Sequence, residues 1–152
     1  MQKPLRVLIT PDSFKGSATN QEVAAAIARG WKKVRAQDEI TCIPMADGGE
    51  GTLNAVVGAG FQKIDVDVMG PSGNTVHASF GIRGDVALVE LAEASGLAVL
   101  LDNIRIPLSA TSYGTGQLIT AALNHGARKI ILAVGGSACT DAGAGALMAL
   151  GA

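Results

Sequence analysis

Aromatic residues are scarce in this chain. Phe, Trp and Tyr together make up 3% of its 152 residues, so aliphatic side chains and alanine must fill the core. Cysteine is nearly absent as well: Cys42 and Cys139 alone give neither a disulfide framework nor a metal-ligand spacing, and they read as free thiols of a reducing compartment, the cytoplasm. Lys and Arg form no run and the formal net charge is −1, which argues against nucleic acid or an anionic membrane as partner. A signal peptide is not supported, because charged and turn-forming residues interrupt the start. The apolar stretch from Ile130 onward is broken by glycines and Asp141, which argues against a membrane-spanning helix. Low-complexity linkers and internal repeats are not evident. The two commonest phosphate loops are missing too. Lys15-Gly16-Ser17 has no upstream glycine at the Walker A spacing, and Gly114-Thr115-Gly116 meets Ile119 where a dinucleotide fingerprint needs its third glycine.

What the chain has is apolar bulk and glycine. Hydrophobic residues make up 48%, charged residues 16%, and mean hydropathy is +0.33. This length suffices for a domain burying roughly 70% of its unfolded surface. The 20 glycines gather in loops that follow apolar runs.

Three such loops share one design. Ile40-Thr41-Cys42-Ile43-Pro44 predicts a strand, and Met45-Ala46-Asp47-Gly48-Gly49-Glu50-Gly51-Thr52 hands it over to a helix beginning at Thr52-Leu53-Asn54-Ala55-Val56-Val57. Glycines there allow a tight turn with free amides, while Asp47 and Glu50 suit Mg²⁺ ligation or proton transfer better than direct phosphate contact. Earlier, Leu5-Arg6-Val7-Leu8-Ile9-Thr10 predicts a buried strand ended by Pro11, with Asp12, Ser13 and Lys15 in the loop at its carboxyl end. Open α/β sheets bind ligands at that edge. Thr19 and Glu22 have capping-box spacing, and Val23, Ile27, Trp31 and Val34 form one helical stripe. A parallel pairing of the two strands through this helix is expected. The third loop follows Lys129-Ile130-Ile131-Leu132-Ala133-Val134, where Gly135, Gly136 and Ser137 offer amides and a hydroxyl to an anion before Asp141.

The middle of the chain changes texture. Ile64, Val66 and Val68 alternate with Asp65 and Asp67, and Val76, Ala78, Phe80 and Ile82 alternate after the turn Gly70-Pro71-Ser72-Gly73-Asn74. A third strand at Val86–Glu90 completes a meander. His77 and His125 read as structural or solvated. Thr115 precedes helical Leu118–Leu123, so its hydroxyl caps that helix or meets an oxyanion, with capping favoured.

Five segments resemble, in order and spacing, the signature blocks of type I glycerate kinases. They are Pro11–Ser17, Pro44–Thr52, Ala94-Ser95-Gly96-Leu97, Thr111-Ser112-Tyr113-Gly114-Thr115-Gly116 and Gly135-Gly136-Ser137-Ala138. The resemblance implies ATP- and Mg²⁺-dependent phosphorylation of D-glycerate to 2-phosphoglycerate (or 3-phosphoglycerate), in a cleft between two α/β domains. The switch from strand–helix units to the meander sets the expected boundary, so that residues 1–68 begin a Rossmann-like three-layer α/β domain of parallel strand–helix units. A second α/β domain, opening with the meander, would begin at 69–152. Family members are much longer, so the chain is expected to be an N-terminal portion. The alternative is a truncated, non-catalytic fragment that at most binds anions.

On the kinase reading the catalytic candidates are Asp47, Glu50 and Lys15, with Asp47 also the metal ligand. Substrate and phosphate contacts fall to Asp12, Ser13, Gly48, Gly49, Thr52, Thr115, Gly135, Gly136, Ser137 and Asp141. Asp47 or Glu50 supports Mg²⁺ or accepts the substrate proton, and Lys15 offers a point charge to phosphate or to the glycerate carboxylate. Where the family reads Gly-Gly-Ser-Ala-Thr-Asn-Asp-Gly-Gly, this chain has Cys139, Thr140 and Ala142, and a Cβ at 142 disfavours a positive φ there. The sequence leaves the oligomeric state open.

Overall fold

A computed structural model describes residues 3–14, 17–43, 45–100, 102 and 104–152. It divides into two compact units, Met1–Ala46 and Asp47–Ala152. Each is an α/β arrangement.

In the first unit, β1 (Arg6–Ile9) and β2 (Glu39–Cys42) are parallel neighbours joined by α1 (Asn20–Val34). The parallel pairing is the one expected, with Arg6 opposite Glu39 and Ile9 opposite Cys42. The strand read as buried, however, is covered only in part: Ile9 is buried while Leu5 and Leu8 stay exposed, because a two-stranded sheet covered by one helix leaves its other face open. The capping box forms: Glu22 N–H donates to Thr19 Oγ1 (3.2 Å), and Thr19 N–H donates to Glu22 Oε2 (2.8 Å). The helical stripe is only partly buried. Asn20, Val23 and Ala24 are covered, whereas Ile27, Trp31 and Val34 stay exposed. Two strands of four residues extend about 13 Å, and fifteen helical residues about 22 Å, so the pair shields only part of α1.

Trp31 has a polar task instead. Its Nε1 donates to Asp38 Oδ2 (2.8 Å), beside the Arg35 guanidinium (2.6 Å) and the Leu5 amide on Oδ1 (3.0 Å). Asp38 is buried at the entrance to β2, and these donors, Arg35 first, hold its carboxyl well below the usual carboxylate range. One carboxylate thus ties the end of α1 to both strands.

The second unit carries a four-stranded sheet of order β3 (Gln62–Met69), β4 (Thr75–Arg83), β5 (Val86–Glu90) and β6 (Lys129–Ala133). β3, β4 and β5 form the antiparallel meander that the period-two pattern predicts, and β6 joins β5 in parallel. α2 (Thr52–Gly58) precedes the sheet. α3 (Leu91–Ser95), a 3₁₀ turn at Leu97–Val99 and α4 (Tyr113–Asn124) connect β5 to β6, and α5 (Ala144–Ala149) follows. Val68, Ala78, Phe80, Ala87, Val89, Ala94, Leu118, Ala122 and Ala127 make one buried cluster. Its single aromatic ring, Phe80, meets the His125 ring edge-on at 5.5 Å. Small aliphatic side chains pack this core, as the shortage of aromatics requires.

The boundary expected between residues 68 and 69 needs correction. β3 runs through Met69 and pairs with β4 along its whole length, so a cut there would open a continuous ladder. The units part at Ala46 and Asp47, which puts the acidic glycine loop at the start of the second unit.

Candidate active site at the carboxyl ends of β5 and β6

Parallel strands β5 and β6 end side by side, Glu90 opposite Ala133. The segments leaving them cross at once. Leu97 N–H donates to Gly136 O (3.0 Å) and Ala138 N–H donates to Ser95 O (2.9 Å), closing a bridge between Gly96 and Ser137. The acidic loop joins this junction, since Gly135 N–H donates to Gly48 O (2.7 Å). A Cβ on Gly135 would stand 2.6 Å from the Gly49 Cα, so the two loops meet backbone to backbone. Three of the five segments that carry the resemblance, the acidic one through Asp47–Thr52, thereby converge on one strand edge of the second unit, and Thr111–Gly116 is tied to them by the Thr115 hydroxyl on Ser95 Oγ (2.9 Å).

Several predicted site residues meet here with polar atoms to spare. Asp47 and Glu50 are exposed. Asp47 Oδ1 accepts the Gly49 amide (2.8 Å), a local turn that leaves Oδ2 for other ligands. Glu50 lies against the third loop: a Cβ on Gly136 would come 3.7 Å from its Oε1. Among the described residues, the amides of Gly136 and Ser137 donate no hydrogen bond. Two free amides beside a carboxylate loop suit an anion bridged by a cation.

Other predicted residues are already engaged. Thr52 is buried, and its hydroxyl donates to Gly49 O (2.8 Å), bracing the loop from within. Ser137 Oγ donates to Cys139 O (3.0 Å) and accepts the Cys139 amide (3.2 Å), so its amide rather than its hydroxyl is available. The capping role expected of Thr115 is corrected. α4 already begins at Tyr113, and the buried Thr115 hydroxyl donates to Ser95 Oγ (2.9 Å), pinning α4 to the segment after α3.

Asp141 is a structural clamp. Its carboxylate accepts the Ser112 amide and hydroxyl (2.8 Å each), the Gly143 amide (3.1 Å) and the Gly145 amide (3.1 Å). Although burial opposes ionisation, these donors hold its carboxyl down to about 2. Asp12 and Ser13 belong to the first unit, where Ser13 N–H donates to the exposed Asp12 Oδ1 (2.7 Å). Lys15 lies outside the described residues.

Next to Asp141, Ala142 has φ +51°, the left-handed backbone that its Cβ disfavours. Ala142→Gly is expected to stabilise the fold by about 0.5–1 kcal/mol, relief of strain outweighing the extra freedom of the unfolded chain. Thermal unfolding should register a rise in Tm of about 1–4 °C, and a fall would contradict it.

The sequence reading misses Glu90. It ends an otherwise apolar strand and is 1% exposed. Its Oε1 accepts the Gly51 amide (3.0 Å) and its Oε2 the Leu53 amide (2.7 Å), capping α2, whose own N-cap, Gly51, has no side chain to do so. The only local signal is a charge closing the run Val86-Ala87-Leu88-Val89. Burial pushes the carboxyls of Glu90 and Glu93 above the usual range, in Glu90 against the pull of its two amides. Both line a shallow cleft of about 280 Å³ with Glu50 and His77. His77 Nδ1 is paired with Asp67 (2.8 Å), which raises its pKa.

Among the described residues, no three His, Cys, Asp or Glu side chains are grouped to hold a metal ion alone. Asp47 and Glu50 fit a hard cation that takes one or two carboxylates and completes its shell with water and phosphate, as Mg²⁺ does. No helix among them is long and apolar enough to cross a membrane.

The model of the glycerate kinase family matches residues 7–152. A glycerate kinase of Halalkalibacterium halodurans is 47% identical over 149 residues, covering 95% of this chain and 39% of that protein. The glycerate 2-kinase of Escherichia coli K12 is 45% identical over 152 residues, covering 97% and 40%. A crystal structure from Salmonella typhimurium LT2, assigned as glycerate kinase 2, is 43% identical with TM-score 0.76, covering 98% of this chain and 41% of that one. The chain thus spans about 40% of the length of the relatives it matches.

Proposed function

The chain belongs to the glycerate kinase family, and from that premise we propose that the whole protein transfers the γ-phosphoryl group of ATP to a hydroxyl of D-glycerate. The P–O bond to the β-phosphate breaks, a P–O bond to the glycerate oxygen forms, and the hydroxyl proton passes to a carboxylate. The relative named glycerate 2-kinase favours the 2-hydroxyl and 2-phosphoglycerate over 3-phosphoglycerate.

One observation carries the reading: the acidic loop, with Asp47 and Glu50, is joined to the Gly135–Ser137 loop at the carboxyl ends of two parallel strands. Phosphoryl transfer asks for positioned donors and charge neutralisation more than for covalent chemistry. The free amides of Gly136 and Ser137 bind phosphate oxygens. Of Asp47 and Glu50, one holds the cation side of the nucleotide and the other takes the proton. When bound there, Mg²⁺ would offset charge on the transferring group. Asp12, Ser13 and Lys15 supply further contacts to substrate. The two unpaired cysteines support a cytoplasmic location.

A coupled assay with D-glycerate and MgATP tests the proposal, with ³¹P NMR identifying the product. The whole protein is expected to turn over at roughly 1–100 s⁻¹. The 152-residue chain alone is expected to show no appreciable turnover, because one wall of a cleft neither excludes water nor aligns the attack. No turnover by the whole protein would overturn the kinase reading.

A further inference from the structure

We propose that Glu90 is a positioning residue for phosphoryl transfer, holding the acidic loop in its working shape through the Gly51 and Leu53 amides. The inference rests on the kinase reading for its effect on turnover, but its geometry stands independently.

The loop from Asp47 to Gly51 is held from outside at two points. Near its start, Gly48 O accepts from Gly135 N–H. At its end, the Gly51 amide rests on Glu90 Oε1, and the Leu53 amide rests on Oε2 two residues on. Glu50 projects from the backbone next to the second hold, so a shift of Gly51 moves its carboxylate. Leu53 is itself 1% exposed, and its amide has no water to turn to if the carboxylate leaves. Glu90 sits at the last residue of β5, opposite Ala133 of β6, which gives its side chain a fixed base.

The chemistry of the hold is specific. A carboxylate has two acceptor oxygens for two N–H donors. An amide of the same shape has one acceptor, and its NH₂ group would point at the second donor. Glu90→Gln therefore keeps the packing and breaks one of the two holds. Glu90→Asp keeps both acceptors on a shorter stem.

A helix cap alone would matter to stability. A positioning residue matters to turnover in a folded enzyme, because misplacing a reacting group by about 1 Å can cost as much as 10²-fold in rate.

The test uses the intact protein and reads amide exchange and steady-state kinetics together. In the wild type, the Gly51 and Leu53 amides should be strongly protected. In Glu90→Gln, at temperatures where the variant stays folded, one or both should exchange at least 10-fold faster. Its kcat should fall about 10–100-fold with KM values changed less than 3-fold, and Glu90→Asp should recover part of that loss. Lost protection with unchanged kcat, or unchanged protection in the variant, would overturn the proposal. Should Glu90→Gln fail to fold, Glu90→Asp and the wild-type protection pattern still decide, since weak protection of both amides in the wild type is also fatal. If the wild type phosphorylates no glycerate, the kinase reading fails while the exchange experiment still judges the hold.

Discussion

Asp47→Asn in the whole protein is expected to lower kcat/KM by about 10²–10³ while leaving Tm nearly unchanged. The substitution isolates charge from shape. Asp47 uses one oxygen to accept the Gly49 amide at 2.8 Å, and the Asn side-chain oxygen can accept the same bond. The side chain is exposed, so no packing is lost, and surface changes of this kind stay within about 0.5 kcal/mol. What disappears is a full negative charge where, on the proposed function, a divalent cation and a triphosphate meet. Excess Mg²⁺ should restore part of the rate, because weaker cation affinity is recoverable by mass action. Glu50→Gln should act in the same direction. Steady-state assays across a Mg²⁺ titration, beside thermal unfolding, decide the matter. Near-normal turnover in both single variants, with the fold intact, would reduce these acids to solvated turn residues.

What the sequence reveals of this protein divides by distance along the chain. Thr19 and Glu22 are three residues apart, so their capping box is readable and forms. Alternation within Ile64–Val68 and Val76–Ile82 is equally local, and the meander follows it. Glycine loops after apolar runs mark strand ends, which is why the loops that hold Asp47, Glu50, Gly135 and Gly136 are legible in the sequence. Which groups complete those loops is a matter of tertiary contact. Glu90 finds its amides 39 and 37 residues back, and nothing in Val86–Glu90 states that. Asp141 looks like a loop acid, yet Ser112 reaches it from 29 residues away. Thr115 stands near a helix start but inside the helix, where burial turns its hydroxyl toward Ser95. Periodicity also overstates burial. Val34 continues the apolar stripe of α1, but the stripe outruns the two strands beneath it and Val34 is 85% exposed.

Gly135→Ala is expected to destabilise the protein by about 3 kcal/mol, lowering Tm by about 6–12 °C, and to abolish most turnover at temperatures where it remains folded. The backbone of Gly135 is not in the left-handed region, so conformational preference is no obstacle. Space is the obstacle. A Cβ there would stand 2.6 Å from Gly49 Cα, 2.8 Å from Gly49 N and 2.9 Å from Gly48 O, all of them backbone atoms that cannot rotate aside. Relief therefore requires one loop to withdraw, and withdrawal breaks the 2.7 Å hydrogen bond from Gly135 N–H to Gly48 O. That bond joins the acids to the free amides, so the variant should lose activity beyond what its stability explains. Ala92→Gly provides the contrast. Ala92 is buried against Gly136 from the helix side, and trimming its methyl opens space without pushing the loops apart. Thermal unfolding and kcat measured on both variants separate the two effects. A Gly135→Ala protein with wild-type Tm would mean that the loops do not meet backbone to backbone, and the site would have to be built differently.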